Sequence, residues 1–410
     1  MNYDIIIIGG GIAGLNSALK LSKKNKILLL DERTYWGGRI YTKQKPHYEA
    51  GAGRFSNKHI LLNKLINKYK LQRVPINSDH DYLDIKKREI IKDVDKILDK
   101  YFIDLIKKSK KWTPNNLKQV TLYEFMNKCN SKEYSDEIVN MFGYYSEIKE
   151  MNAYDALNTF SIDFVNVQYY FLSGGLSELC NKMVEEIEKN EGLCKNNSLV
   201  KNIKKNNNIF EVETDDTIYN CNKVIFAIKG HQLKHFNILK PMHQHIKAVY
   251  NAELLRIYAK YPIRKNGVWF SNLRRITTNS FLRQIIPIDY SSGLIMISYM
   301  DSKDIQIFKD KNGKLLNDKK IEVLVQRELD NLFNNVPKPI YFKCHYWEVG
   351  AHHWKPGYDS DLITESVLNP IDNGYICGEV FSQKQAWVEG GLETSEKVIR
   401  LIKNNHTNIV

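Results

Sequence analysis

Cysteine is scarce and scattered in this 410-residue chain. The six thiols, Cys129, Cys180, Cys194, Cys221, Cys344 and Cys377, form no CxxC pair and stand near no metal-spaced histidine cluster. That excludes a disulfide mini-fold and gives no metal site, so a reducing compartment is expected. Long apolar runs are missing as well. No stretch approaches the ~18 apolar residues of a membrane span. The first apolar run, residues 5–8, has no basic segment before it and breaks at Gly9-Gly10-Gly11, unlike a signal peptide. The tail, Asn404-Asn405-His406-Thr407-Asn408-Ile409-Val410, is polar and shows no anchor. With 22 Gly and 10 Pro, a fibrous or low-complexity chain is excluded. Acid is in deficit, 47 Asp+Glu against 60 Lys+Arg, a formal +13. The lysines are scattered through Asn- and Ile-rich stretches, which reads as the codon bias of an AT-rich genome rather than a nucleic-acid patch. A soluble, cytoplasmic protein with no membrane anchor is expected.

What is present suits a large folded chain. Hydrophobic residues are 43% and aromatics 11%, enough for two cores, and the length exceeds what one core usually supports. Residues 5–8 are β-branched and unalternating, as in a strand buried on both faces. Gly9-Gly10-Gly11-Ile12-Ala13-Gly14 follows, then apolar residues at helical spacing, then a second apolar run at 27–30 that ends in Asp31-Glu32. Strand, GxGxxG, helix, strand and acid together predict a dinucleotide site. Gly9 allows the tight turn, Gly11 lets backbone approach a pyrophosphate, and Gly14 lets the helix pack on the strand. Ile12 and Ala13 open the helix whose N–H groups meet the phosphates. Asp31 is placed for ribose hydroxyls, which argues against NADP, whose 2′-phosphate it would repel.

The stretch Arg33-Thr34-Tyr35-Trp36-Gly37-Gly38-Arg39 and the small-residue loop Glu49-Ala50-Gly51-Ala52-Gly53-Arg54-Phe55 follow. Near the other end, Cys377-Gly378-Glu379 closes a short strand, and Trp387-Val388-Glu389-Gly390-Gly391 opens a helix. Between them stand Leu172-Ser173-Gly174-Gly175-Leu176 and Val200. In order and spacing these resemble the flavin-containing amine oxidase superfamily, most densely over residues 4–55, 172–228 and 346–395. One departure is Gly391, where that family usually has Ala.

The resemblance implies an α/β protein. Its Rossmann-like FAD-binding domain, of the GR2 type, would comprise residues 1–60, 165–235 and 341–410. An inserted α+β substrate domain of helices plus an antiparallel sheet would comprise 61–164 and 236–340. Residues 61–160 carry helical periodicity, and strands are expected at 254–258, 268–270, 281–288 and 294–299, with a helix at 318–333. The resemblance also implies FAD contacts from Gly9, Gly11, Ile12, Ala13, Gly14, Asp31, Glu32, Gly38, Arg39, Ala52, Gly53, Arg54, Phe55, Val200, Gly378, Glu379 and Val388. Ala351 stands where the membrane-anchored monoamine oxidases attach their flavin through Cys, so FAD is expected to be noncovalent.

The family's chemistry is hydride transfer from the carbon beside an amine to flavin, with O2 usually the final acceptor. Two aromatic side chains flank the flavin. Trp387 occupies the second such position. The first falls on His352, which can stack, bind a carboxylate or act as a base; alternatively His352 fills space and Trp354 supplies the wall. Glu253 stands where most members carry a lysine near the flavin. It either faces the flavin as a base or points to solvent. Tyr144-Tyr145-Ser146 and residues 154–157 either line a pocket or pack. Arg256, Arg264 and Arg283 are candidates to clamp a substrate carboxylate. Besides amine oxidation with O2, a related dehydrogenase or desaturase with another acceptor, and a flavin-binding protein without turnover, remain open.

Overall fold

The computed structural model describes residues 2–77 and 79–407, so the end of the polar tail, 408–410, lies outside the described residues. The chain divides into two compact units. The first comprises Met1–Ile76, Val167–Tyr250 and Tyr358–Val410, the second Asn77–Asn166 and Asn251–Gly357. Three segments fall differently from the sequence reading. The helix Ile60–Lys68 joins the first unit because Leu62, Leu65 and Ile66 enter its core. Residues 236–250, expected in the substrate domain, also belong to it. Residues 341–357 belong to the second, because the strand Tyr341–Trp354 lies beside the strand Val249–Lys260 at the edge of that unit's sheet.

The first unit is built on a sheet with a parallel core. The strand Asn2–Ile8 lies between Ile27–Leu30 and Ile218–Phe226, parallel to both. Leu193–Lys195 continues the sheet on one side and Gly374–Ile376 pairs with Ile218–Phe226 on the other, both parallel. An antiparallel hairpin, Asn202–Asn206 and Ile209–Glu213, completes it. Ile27 to Leu30 are buried throughout, as a strand covered on both faces requires. The helices Ile12–Leu21, Leu176–Lys189 and Val388–Thr407 bring Leu15, Leu179 and Leu392 into one core with Ile5 and Ile7. This is the α/β, Rossmann-like class read from the sequence.

The second unit pairs helices with a seven-stranded sheet. Sheet order runs Tyr341–Trp354, Val249–Lys260, Leu294–Asp301, Gln284–Asp289, Arg275–Thr278, His80–Asp84 and Glu89–Ile91. One face is covered by the helix Asp318–Leu332, whose Ile321, Val325 and Leu329 pack on Leu255 and Ile257. The helices Val94–Ser109, Leu122–Cys129, Lys132–Phe142 and Ala153–Asp163 build a separate aromatic-rich core with Phe102, Phe142 and Phe160. Two sequence expectations change. Val268 and Phe270 are buried in a turn rather than a strand. The sheet instead recruits His80–Asp84 and Glu89–Ile91, inside a region expected to be helical. Tyr144 packs, edge-on against Phe142 and Tyr299. Among the described residues no helix is long and apolar enough to cross a membrane.

Candidate functional site

The glycine run after the first strand has the geometry of a phosphate cradle. Gly9 sits at φ +104°, where L side chains strain, and a Cβ there would meet the Ala227 carbonyl oxygen at 2.4 Å. A Cβ on Gly14 would stand 1.9 Å from the Gly9 carbonyl oxygen, so helix and strand touch there. Gly11 differs: its Cβ would find only the Gly37 carbonyl oxygen, 4.0 Å away. It is the N-cap of the helix Ile12–Leu21 and offers no side-chain cap, so the N–H groups of the first turn face that open space. The chain folds back over this cradle. Gly37 N–H donates to the Gly10 carbonyl at 2.8 Å, and a Cβ on Gly38 would stand 3.1 Å from Gly11 Cα. Arg33 holds the turn by donating to the Gly38 carbonyl.

Asp31 closes the second strand. Its carboxylate accepts from the N–H groups of Gly10 (2.5 Å) and Arg33 (2.8 Å), which ties the acid to the glycine run. Burial pushes its carboxyl above the usual range, against the lowering pull of those N–H groups. Asn197 and Ser198 donate backbone N–H to the Arg33 and Asp31 carbonyls at 2.7 and 2.8 Å, which brings the Val200 loop beside the acid. Glu32 is exposed and accepts from Gln232 at 3.3 Å.

The C-terminal segment returns to the same place. Gly378, at φ +138°, has nothing nearer to its missing Cβ than the Ile228 carbonyl oxygen at 3.9 Å. Glu379 is buried and accepts from Arg39 at 2.7 Å and from the Ala386 N–H at 2.8 Å. Gly391 stands beside the first helix, where a Cβ would meet Ile12 Cγ2 at 3.1 Å. Gly11, Gly38, Arg39, Ala52, Arg54 and Gly378 keep solvent-exposed surface, whereas Phe55 is fully buried and serves the core. Open space at Gly11 and Gly378, uncapped helix N–H groups and an acid beside them fit a dinucleotide such as FAD.

Trp387 anchors a cluster of rings. It lies nearly parallel to Tyr169, with centroids 6.2 Å apart, and edge-on to His59 at 4.8 Å. The Arg54 guanidinium stands 4.5 Å from the Tyr169 ring centre and 5.5 Å from that of Trp387. His59 Nδ1 accepts from the Ser56 N–H at 3.2 Å, which fixes the neutral ring with its proton on Nε2. Next to Trp387, the buried Glu389 accepts from the N–H groups of Leu61 and Leu62 at 2.8 and 2.9 Å, capping the helix Ile60–Lys68. Sequence reasoning missed Tyr169, His59 and Glu389. Tyr169 carries no local signal, but Trp387-Val388-Glu389 did mark Glu389 as part of a motif.

The remaining candidates lie in the second unit. His352 and Trp354 are both 0% exposed, so each is packed on all sides. The Trp354 carbonyl accepts from the buried Asn152 through its backbone N–H (2.8 Å) and side-chain amide (3.3 Å). His353 Nε2 stands 3.3 Å from Ser146 Oγ, and that hydroxyl and its N–H donate to the buried Asp301. Burial raises the Asp301 carboxyl, against those hydrogen bonds.

Glu253 is held by a different set of partners. Its carboxylate meets Lys309 Nζ at 2.5 Å and accepts from the Tyr346 hydroxyl at 2.7 Å. Strand alternation places it on the face of Leu255 and Ile257, which the helix Asp318–Leu332 covers, and opposite Arg256. These contacts give Glu253 a structural part within the second unit. Glu253→Gln should lower the melting temperature by a few degrees, because Lys309 is mostly buried and loses its countercharge. Flavin reduction and reoxidation, followed by stopped flow, should not move; a change in either rate would return Glu253 to the reacting centre.

Comparison with known proteins agrees with this arrangement. A profile of the family described as flavin containing amine oxidoreductase matches residues 12–398. Putrescine oxidase bound to putrescine superposes with a TM-score of 0.78 at 14% identity, covering 98% of this chain and 99% of that one. A single mutant of putrescine oxidase, made in a redesign of cofactor binding, gives 0.79 at 14% identity over 99% of each chain. At that identity the likeness is one of fold. The uncharacterized protein R188 of Acanthamoeba polyphaga mimivirus is 34% identical over 84 residues, 18% of this chain and 16% of that protein's length.

Proposed function

Because the chain belongs to the flavin-containing amine oxidoreductase family, we propose that it oxidises an amine to an imine with noncovalently bound FAD and O2 as the final acceptor, giving H2O2. That it is an FAD-dependent oxidoreductase follows from the family itself. The observation that supports a bound dinucleotide is the open space at Gly11 and at Gly378.

Bound FAD supplies the acceptor for a hydride leaving the carbon beside the amine nitrogen. The chain's own groups do the rest. N–H groups at the start of the helix Ile12–Leu21 would hold the pyrophosphate, with Gly11 leaving room for it. Asp31 would take the adenosine ribose, and Val200 would border the adenine. Arg39, braced by Glu379, would set its charge beside the phosphates. The start of the helix Val388–Thr407 would offer backbone N–H groups to the flavin's pyrimidine end. Trp387 and Tyr169 wall the substrate's path and exclude water. Water then adds to the released imine, which breaks down to the carbonyl product and ammonia or the smaller amine. With Ala351 at the family's linking position, no thiol stands there to bind FAD covalently. A dehydrogenase using another acceptor is the second reading, supported by the missing family lysine, where this chain has Glu253.

The purified protein should be yellow and should release intact FAD on heat or acid. Primary and secondary amines should bleach it under argon, and air should restore the colour with one peroxide per turnover. Colourless folded protein that cannot be reconstituted with FAD sinks the reading. Flavin that stays with the precipitated chain means covalent attachment. Bleaching without peroxide in air selects the second reading.

A further inference from the structure

Four neighbouring strands of the second unit share one rim of its sheet. Val249–Lys260 and Gln284–Asp289 end there, and Leu294–Asp301 and Tyr341–Trp354 begin there. The register sets both Lys260 and Asp289 opposite Leu294, and the Ile340 N–H donates to the Lys260 carbonyl at 2.7 Å. The Tyr261 N–H donates to the Gly293 carbonyl at 2.9 Å. The turns 261–267 and 290–293 and the segment 337–340 therefore lie side by side. Each carries large apolar side chains into solvent: Ile263 is 59% exposed, Ile340 65% and Tyr290 47%, with Ile288 at 42% beside Tyr290. Tyr290 is held there, its hydroxyl donating to the Leu273 carbonyl at 2.9 Å and its ring 5.8 Å from that of Phe270. An apolar group of this kind among polar residues marks an interaction surface. Cations accompany it. Arg264 and Lys265 follow Ile263 directly, and Lys338 stands two residues before Ile340, all three exposed. The acids there are engaged locally. Asp289 accepts from the Ser291 N–H and hydroxyl at 2.9 and 2.6 Å, and Asp330, near the end of the helix Asp318–Leu332, accepts from Gln326 at 3.0 Å.

We propose that this rim docks the protein reversibly on an anionic lipid bilayer. Isoleucines at the tips of turns can enter the boundary between headgroups and acyl chains, and the tyrosine ring suits the headgroup level. Arg264, Lys265 and Lys338 then stand level with the lipid phosphates. Neither set of contacts holds a protein on a membrane alone, and the two together do. The chain's formal +13 adds attraction at longer range. The surface is independent of the amine-oxidising function above, since every residue in it belongs to the sheet rim of the second unit.

The test sediments the full FAD-loaded chain with sucrose-filled vesicles at low salt. The vesicles are phosphatidylcholine alone or an equal mixture of phosphatidylcholine and phosphatidylserine. Wild type should partition onto the mixed vesicles at least about tenfold more strongly, and added salt should weaken that binding. Equal binding to both, or none to either, overturns the proposal, and this comparison needs no variant to fold. Ile263→Asn combined with Ile340→Asn leaves the charge unchanged and should cost about tenfold in partitioning. Leu362→Asn, at a side chain 70% exposed in the first unit, should cost nothing. Undiminished binding in the double isoleucine variant means that overall charge alone attracts the protein, and the rim is then no docking surface. Arg264→Gln combined with Lys338→Gln should reduce the preference for phosphatidylserine; a full preference in that variant also overturns the proposal. Flavin colour and melting temperature check that each variant folds. Light scattering supplies the last outcome: a wild-type dimer that the double isoleucine variant splits assigns the rim to a second copy of the chain, against the proposal.

Discussion

Gly11→Val should fold, melt close to wild type and be colourless. Gly11 has φ −70° and ψ 175°, extended backbone that valine adopts readily. Its added Cβ meets nothing closer than 4.0 Å, so the protein itself has room for the side chain. In the proposed reading that room takes the pyrophosphate, and two γ-methyls would fill it. Gly14→Ala, five residues along from Gly9, should behave in the opposite way. Its Cβ would lie 1.9 Å from a backbone oxygen, so the helix must move off the strand, at a cost of about 3 kcal/mol. The flavin absorbance of each purified variant and its circular dichroism melt decide between them. Full flavin occupancy in Gly11→Val would place the phosphates elsewhere.

The contrast between these two glycines shows which parts of the fold were legible. A GxGxxG run names backbone constraints, and those survive any tertiary context, so the turn, cradle and helix start could be read residue by residue. The strand Gly374–Ile376 and the helix that follows were legible for the same reason: Gly378 needs positive φ and Gly390 and Gly391 need close approach. Side-chain pattern was less dependable. Val268 and Phe270 looked like a strand because a buried turn is as apolar as a strand. His80–Asp84 looked unlike one because its inward residues are polar. His80 is buried between Asp95 and Thr277, and Arg274 meets Asp81 at 2.6 Å. Burial lowers the His80 pKa to about 4, so the ring stays neutral in that network at physiological pH.

The candidate site was legible where one chain segment makes it and illegible where several do. Trp387 could be named from its motif, but its neighbours His59 and Tyr169 come from segments far apart in sequence. Glu253 and Arg256 are three residues apart on one strand, and which faces the helix layer depends on register alone. A shift of one residue would exchange them. The pairing of Arg256 with Tyr299 fixes that register, and no sequence feature predicts it.

Trp387→Ala should keep most of its FAD and lose about ten- to a thousandfold in amine turnover, the range expected when a reacting group loses its positioning. The indole meets the rings of His59 and Tyr169 and stands within reach of the Arg54 guanidinium. In the proposed reading, truncation opens the wall of the substrate path and leaves Gly11 and Asp31 unaltered. It also leaves a cavity, so a stability loss of about 3–5 kcal/mol accompanies it. That loss must be separated from the kinetic one. Trp387→Phe retains a ring against Tyr169 and should recover most of the turnover while recovering only part of the stability. The measurement is the rate of flavin reduction under argon at saturating amine, for wild type and both variants, well below their melting temperatures. If Trp387→Ala reduces its flavin as fast as wild type while melting earlier, the indole is packing for the first unit and the wall belongs to other residues. If Trp387→Ala is slow and Trp387→Phe is fast, the ring positions the substrate, because a purely structural loss would track the melting temperatures instead.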